Sequence, residues 1–363
     1  MESPLQFFAG LNDPRVERTK DHLLGDIIFI TIAAVLCGAE SWYDIEEFGH
    51  SKEEWLKKHL KLPNGIPTHD TFNRVFAALD PQELSKCFLE WTHFVCRATK
   101  GEVVSIDGKT IRGTHTQDRK YLVHMVSAWA SVNNLVLGQV KVDDKSNEIT
   151  AIPAFLEALA LKGCIVTIDA MGCQTKIATA IVDKEADYIL AVKGNQEELH
   201  EQVQESFRFL QADQIAQETD LGHGRIEKRT CSVINDLSMI DQRDKWKGLQ
   251  GIIKIDAERF IKSSGETQQE TRYYISSLKT DAAQFNEKIR DHWKIENSLH
   301  WILDVAFHED QSKKRAGNAA QNFSVINRIA LNLLKSDSSK GSIKGKRLRS
   351  AWNIEYLEHI LKI

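Results

Sequence analysis

Two short stretches of the 363-residue chain end in an aspartate that follows a run of apolar, β-branched residues. Val-Val-Ser-Ile precedes Asp107 and Cys-Ile-Val-Thr-Ile precedes Asp169, so each carboxylate is predicted to follow a buried strand. A carboxylate beside an apolar interior is costly unless a partner neutralises it, and Gly108 leaves the backbone open to a ligand. The repetition indicates two adjacent carboxylates that share a divalent cation. A turn or a helix cap is the alternative for either aspartate.

A third acid is predicted on the last long helix, from about Asp281 to Ala306. Glu296 lies on the stripe of that helix that is expected to face inward. The apolar residues of this stripe recur at helical spacing: Ile289, Trp293, Leu299 and Leu303. A glutamate among them is less expected than one on a solvated face, although a stripe edge or a salt bridge is the alternative. Three oxygen donors suit Mg²⁺ or Mn²⁺, and two such ions can promote phosphodiester cleavage.

Composition narrows the class of protein. The net charge of −4 and the pI near 6.4 give no whole-protein signal for nucleic acid, but ten basic residues face one acid between 311 and 350. That segment either follows a phosphate backbone or only solubilises the chain. Further cations near each motif favour a long polyanion over a small phosphorylated metabolite: Lys109, Arg112, Lys193 and Arg225.

The location of the protein is predicted from cysteines and apolar runs. Six cysteines without a C-x-x-C pair argue against a zinc ribbon and favour reduced thiols. The first ten residues lack a signal-peptide pattern, and Ile27–Cys37 is too short to span a bilayer. We therefore expect a soluble, cytoplasmic protein without a membrane partner.

The order of elements predicts an α/β protein with an added helical domain. Residues 1–98 read as an N-terminal helical domain, which either binds DNA through one helix or braces the catalytic domain or a dimer. Leu23–Leu36 is predicted to be an apolar helix buried on most sides, and Asp80-Pro81 to start another helix. From 99 to 335 the pattern is β-β-β-α-β-α-β, which indicates a mixed sheet with crossover helices. A β-rich insertion over about 197–280 precedes the last helix, and 336–363 is a basic tail. Within the insertion, strands are predicted at Arg225–Ile234, Ile252–Ile261 and Thr271–Ser276. Gly108-Lys109-Thr110 is not a P-loop, because Val103 occupies the place of the required glycine.

Several stretches, in chain order, resemble the ISAs-type insertion-sequence transposases, which are also called H-repeat-associated proteins. They are SIDGKTIRG (105–113), DDKSNEITAIP (143–153), TIDAMGCQ (167–174), AVKGNQ (191–196), GHGRIEKR (222–229), RYYISSL (272–278) and HWKIENSLHWILDVAFHED (292–310). GIPTHDTFNRVFAALDP (65–81) and the helix around Leu24 to Trp42 resemble the N-terminal associated domain of that family. The resemblance covers nearly the whole chain.

The resemblance implies a DDE transposase with a ribonuclease-H-like core. By that match Asp107, Asp169 and Glu296 are the catalytic, metal-binding triad for Mg²⁺ or Mn²⁺, with two ions expected. The enzyme would cleave a strand at the inverted-repeat ends of its element, and the freed 3′-hydroxyl would attack target DNA. A homodimer is expected in the DNA complex. A catalytically inactive or domesticated DNA-binding relative is the alternative.

Residues of the matched motifs are expected to contact DNA. They are Lys109, Arg112, Lys145, Lys193, Asn195, Gln196, His223, Arg225, His292 and His300. Related bacterial families carry a tyrosine–arginine–glutamate–lysine signature around the third acid. Here His292 takes the place of the arginine and Leu303 that of the lysine. The expectation is that His292, His300 and Asp304 stand in for them.

Overall fold

The computed structural model describes residues 3–96, 100–115, 122–142, 147–222 and 224–363. Lys145 and His223, two of the predicted DNA contacts, lie outside the described residues. The described chain is a mixed α/β fold with a helical N-terminal region, which confirms the predicted fold class. Within these ranges no helix combines the length and the apolar character that crossing a membrane requires.

In the described part of the chain, nine strands form one sheet in the order β3-β2-β1-β4-β5-β9-β8-β7-β6. The strands are β1 (Val103–Ile111), β2 (Val123–Ala130), β3 (Leu135–Lys141), β4 (Ile165–Ile168), β5 (Asp187–Val192), β6 (Gln214–Gly222), β7 (Arg225–Ile234), β8 (Gly251–Ile261) and β9 (Glu266–Ser276). β1, β4 and β5 are parallel, and the other neighbours are antiparallel. With helices α6 (Glu148–Ala158) and α7 (Thr175–Asp183), the first five strands follow the predicted β-β-β-α-β-α-β order.

The β-rich insertion extends this sheet. After helix α8 (Glu197–Phe209), β6 to β9 form a meander, and β9 pairs with β5 so that Leu190 lies opposite Ile275. Three of these strands match the sequence prediction. β6 was not predicted, because nearly all of its side chains are exposed and its sequence shows no apolar alternation.

The residues that the structure describes before the sheet form five α-helices: α1 (Leu24–Leu36), α2 (Trp42–Ser51), α3 (Glu53–Leu56), α4 (His69–Ala78) and α5 (Pro81–Val95). Their starts follow from local chemistry. Ser41 and Asp44 form a capping box at α2, and the Thr68 side chain caps α4. Asp80 caps α5, with Pro81 at its first position. α1 is apolar on nearly every side and is almost entirely buried, as predicted.

The chain after the insertion is helical. Its elements are α9 (Ala282–His292), a π-helical segment (Glu296–His300), α10 (Trp301–Ala306), α11 (Ala319–Ser336), α12 (Ile343–Trp352) and α13 (Ile354–Leu361). α9 packs on the sheet, whereas α11, α12 and α13 pack against α1. One apolar core contains residues of α1, α2, α4, α5, α11 and α13 together. A second core fills the space between the sheet and α6, α7 and α8. The predicted domain boundaries at 98/99 and 335/336 remain predictions.

The basic segment from 313 to 349 contains helices α11 and α12 and is not a solvated tail, and four of its ten cations are buried and unavailable to a DNA backbone. Lys314, Arg328, Lys346 and Arg347 are each at most 5% exposed. Arg347 donates to the carbonyls of Val35 and Ala306, at the ends of α1 and α10, and Lys346 donates to that of Leu334 in the last turn of α11. Helix C-termini leave carbonyls without partners, and buried cations satisfy them here. Cutting the chain after Asn332 would therefore open the core.

Candidate active site

Two neighbouring strands position the two aspartates. β1 and β4 run parallel with Ile106 opposite Ile168, so Asp107 and Asp169 follow at the same edge of the sheet. Asp107 lies within β1, opposite Ser127 of β2, whereas Asp169 comes directly after β4. The structure thus brings together two of the three predicted acids.

Backbone amides fix the carboxylate of Asp169. One of its oxygens accepts hydrogen bonds from the amides of Met171 at 3.0 Å and Gly172 at 3.4 Å. Burial and the charges of Glu148 and Asp107 nevertheless raise the pKa of Asp169. Asp169 therefore lies in a pre-oriented group of like charges, which a cation would stabilise.

Two predicted DNA contacts, Asn195 and Gln196, hold the turn after Asp169. Asn195 Nδ2 donates to the carbonyl oxygen of Ala170 at 2.6 Å, and Gln196 Nε2 donates to that of Cys173 at 2.9 Å. Both side-chain amides thus bind carbonyl oxygens of the turn and hold it in place. Asn195 and Gln196 therefore help to position Asp169 by holding the turn that follows it.

The third predicted acid begins the π-helical segment. Donor atoms of Asp107, Glu296 and His300 all lie within 4.8 Å of one another. Glu296 is exposed, not buried on an inward-facing stripe as the sequence pattern predicts, while His300 is buried. π-Helical turns occur often at functional sites, and this one places Glu296 and His300, four residues apart, toward β1. The structure therefore brings Glu296 to Asp107, as the sequence pattern predicts.

His300 is a partner of Asp107 rather than a surface residue. It is 4% exposed, and its Nε2 lies 3.1 Å from Asp107 Oδ2. Among the described residues, its buried Nδ1 has no hydrogen-bond partner. Burial raises the pKa of Asp107, but the hydrogen bond and charge of His300 outweigh it and keep that pKa lowered. This corrects the predicted DNA contact, because a buried ring bound to Asp107 cannot reach a strand.

His292, the other predicted histidine, lies behind the aspartates. Its Nδ1 is 3.0 Å from the hydroxyl of Thr167, which donates in turn to Ser105 at 3.3 Å. Burial lowers the pKa of His292. The next residue, Trp293, is 43% exposed instead of buried on the inward stripe. Its amide bonds three residues back to Arg290, so the helix is irregular at this point and its phase shifts.

The cations that follow Asp107 form ion pairs with carboxylates of the protein. Lys109 is 9% exposed, and its Nζ lies 2.7 Å from Asp304 and 3.1 Å from Asp310. This contradicts a surface DNA contact for Lys109, because a buried ammonium needs its carboxylate partners. The Arg112 side chain is 83% exposed and lies 3.4 Å from Asp310. Of the two, only Arg112 remains available to DNA.

A cleft opens between the sheet and α9. It has a volume of about 180 Å³, and its lining includes Asp169, Lys193 and His292. Arg272 lies at its rim, with its guanidinium carbon 4.4 Å from the centre of the Trp293 ring and with two hydrogen bonds to Glu270. Lys193, a predicted DNA contact, is exposed here beside Asp169.

A larger groove, which we term the arginine groove, continues from Arg272 and Trp293 across the face of the insertion. Its volume is about 390 Å³. The described residues that line it include six cations and two carboxylates: Arg225, Arg229, Arg259, Arg272, Arg290, Lys294, Glu227 and Glu270. Burial lowers the pKa of Arg229, and so does repulsion from Arg290 and Arg272. Such a cluster of like charges favours an anion.

The sequence prediction included Arg225 but missed the rest of the arginine groove. Arg225 and Arg229 flank Glu227 at a spacing of two, and side chains two apart on a strand share one face. That spacing was the available signal. Glu148 and His124, which lie close to Gly108, were also missed. Their sequence context gives no comparable signal, since the pairing of distant residues places them.

Family models match both parts of the chain. The model described as "DDE_Tnp_1-associated" matches residues 5–92, and the one described as "Transposase DDE domain" matches residues 98–333.

Full-length relatives carry related names. "Putative transposase YncI" of Escherichia coli O157:H7 is 45% identical, with 99% of this chain and 95% of that protein covered. "H repeat-associated putative transposase YhhI" of Escherichia coli strain K12 is 40% identical, with 98% and 97% covered. "Putative protein YbfL" of the same strain is 41% identical over the same shares. Together with the family models, these matches confirm the resemblance seen in the motifs. The chain therefore belongs to the DDE transposase family.

Proposed function

We propose that this transposase uses Asp107, Asp169 and Glu296 to cleave DNA at the inverted-repeat ends of its element. The freed 3′-hydroxyl then attacks target DNA. The main observation behind the proposal is that acids from two strands and from the last helix lie close together. Asp107 is beside Asp169 on the neighbouring strand, and donor atoms of Asp107, Glu296 and His300 lie within 4.8 Å of one another. The alternative is an inactive or domesticated DNA-binding relative, and the presence of all three acids favours the active enzyme.

The residues present fit a divalent metal. Asp107 and Glu296 offer carboxylate oxygens within 4.8 Å of each other, and such oxygens suit Mg²⁺ or Mn²⁺. The group of like charges around Asp169 supports a cation here. His300, whose Nε2 contacts Asp107, orients that carboxylate. Bound ions, two in this proposal, would activate a hydroxyl nucleophile and stabilise the leaving oxygen.

The protein supplies orientation and charge. His300 keeps Asp107 ionised at neutral pH, because its hydrogen bond and charge hold the pKa of that carboxyl below the usual range. Amides of the turn orient Asp169, and Asn195 and Gln196 hold that turn. Catalytic groups held in this way need little reorganisation during reaction.

We propose that DNA reaches the site along the arginine groove. The groove meets the cleft at Arg272 and Trp293 and extends to Asn297, the residue after Glu296. Lys193 lies on the cleft side of the same path. An element has two ends, so a homodimer in the DNA complex is part of the proposal, as is a cytoplasmic, nucleoid-associated location.

The arginine groove predicts the salt dependence of DNA binding. We expect the double variant Arg229→Gln/Arg259→Gln to flatten the slope of log affinity against log salt by about 1.8, since each phosphate contact contributes about 0.9. Fluorescence anisotropy with a labelled duplex at several salt concentrations measures this slope. Lys344→Gln is the matched control, because Lys344 is exposed on α12, away from the groove. Equal slopes for wild type and double variant would remove the groove from the DNA path.

The cleavage reaction tests the proposed activity directly. DNA that carries the repeats flanking the coding region is incubated with the purified chain and Mg²⁺. We expect strand cuts at the repeat boundary that leave a 3′-hydroxyl. Binding without any cut in Mg²⁺ or Mn²⁺ would favour the inactive relative.

A further inference from the structure

A fourth carboxylate lies against the backbone that follows Asp107. Glu148 is the first residue of α6, and its carboxylate occupies the space above Gly108. A Cβ atom built on Gly108 would lie 2.2 Å from Glu148 Oε1 and 2.6 Å from His124 Nε2. Any side chain at 108 would therefore displace the ends of these two side chains.

A chain of hydrogen bonds holds Glu148 in this place. Its Oε1 lies 2.6 Å from His124 Nε2, and His124 Nδ1 lies 2.8 Å from the hydroxyl of Thr110. With Nε2 as the donor, His124 Nδ1 accepts from Thr110, and the imidazole is fixed on β1 and β2. A histidine oriented by a second partner is typical of the residues that support a metal ligand.

Glu148 also lies on the side of Asp169, because helix α6, which begins at Glu148, packs against the turn Ala170–Gly172 that follows Asp169. Glu148 and His124 are only partly exposed, at 21% and 28% of their side chains. The Glu148 carboxylate is thus held in a partly desolvated place near the two aspartates, an arrangement that a cation would stabilise.

The other three acids approach Asp107 from two sides. Glu296 and His300 approach Asp107 from the last helix, within 4.8 Å. Asp169 and Glu148 approach from the side of β4 and α6. A site for two ions needs donors on both sides of the shared carboxylate. Without Glu148, an ion on the β4 side would be held by Asp107 and Asp169 alone among these four acids.

We propose that Glu148 is a fourth acid of the metal-binding set, serving the ion on the Asp169 side of Asp107, with His124 as its positioning residue. This inference rests on the metal-dependent activity proposed above.

The test is a calorimetric Mn²⁺ titration of the full chain, free and bound to a pre-cut end duplex. We expect Glu148→Gln to weaken binding of one ion by about 10- to 100-fold, because an amide keeps the shape but lacks the charge. His124→Leu should weaken the same ion less. Glu157→Gln is the matched control, because Glu157 is exposed near the other end of α6. The melting temperature of each variant shows whether it is folded.

The outcomes separate this inference from the proposed activity. Unchanged Mn²⁺ binding in a folded Glu148→Gln variant overturns the role of Glu148 and leaves the three-acid site intact. Equal losses in Glu148→Gln and Glu157→Gln overturn it too, since the effect would then be one of overall charge. If wild type binds no Mn²⁺ in either state, the metal-dependent activity and this inference both fall.

Discussion

Asp107→Asn is expected to reduce cleavage of element-end DNA by at least about 10³-fold. Asparagine has nearly the same shape, so the fold and the contact with Ser127 on β2 should persist. The variant lacks the negative charge that a divalent ion requires and that the adjacent His300 stabilises. Asp169→Asn and Glu296→Gln should behave in the same way.

DNA binding should change little in these variants, because phosphate contacts position the DNA and the acids serve the chemistry. The control is Glu287→Gln, since Glu287 is exposed on α9, the helix that leads to Glu296. That variant should cleave at the wild-type rate. Cleavage by Asp107→Asn at a rate within a few-fold of wild type would show that this carboxylate is not catalytic.

Arg328→Met should lower the free energy of unfolding by about 3 to 5 kcal/mol, the cost of leaving a buried charge unpaired. Arg328 is fully buried, and its Nη1 lies 2.8 Å from Glu309, which is 2% exposed. The adjacent Asp310 binds Lys109 beside the active site. The pair therefore anchors the segment after α10 that completes the surroundings of Asp107.

Urea unfolding of the full chain measures the change. The double variant Arg328→Met/Glu309→Gln should recover part of the loss, because no unpaired charge then remains buried. Lys340→Met is the control, since Lys340 is exposed. A loss for Arg328→Met no larger than that for Lys340→Met would show that the ion pair contributes nothing to stability.

Local patterns predicted most elements and the three acids. Strand-end aspartates at Asp107 and Asp169 are visible as breaks after apolar runs, and Glu296 interrupts an apolar stripe. Helices with caps such as Asp80-Pro81 begin where the sequence predicts. These features depend on neighbours within a few residues, so the periodicity of the sequence can reveal them.

Features that depend on distant partners were not predictable in this way. The sequence cannot show that Arg347 meets the end of α1, more than 300 residues earlier in the chain. A run of basic residues is therefore indistinguishable from a solvated tail until the helices that it caps are known. The same holds for His300, whose partner Asp107 lies 193 residues away.

Irregular backbone was the other source of error. The break at Trp293 and the π-helical segment change the phase of the last helix, so a regular period assigns Trp293 to the core. The edge strand β6 has no buried face and thus no alternation to detect. Both errors concern the surface beside the arginine groove.

Cysteine substitution tests most directly whether Asp107, Asp169 and Glu296 bind the metal. A thiolate binds Mg²⁺ poorly but accepts softer ions. We predict that Asp107→Cys, Asp169→Cys and Glu296→Cys each lose end cleavage in Mg²⁺ and regain it in part in Mn²⁺, while wild type and Glu287→Cys cleave in both. Wild-type rates of cleavage in Mg²⁺ by any of the three cysteine variants would contradict the shared metal site.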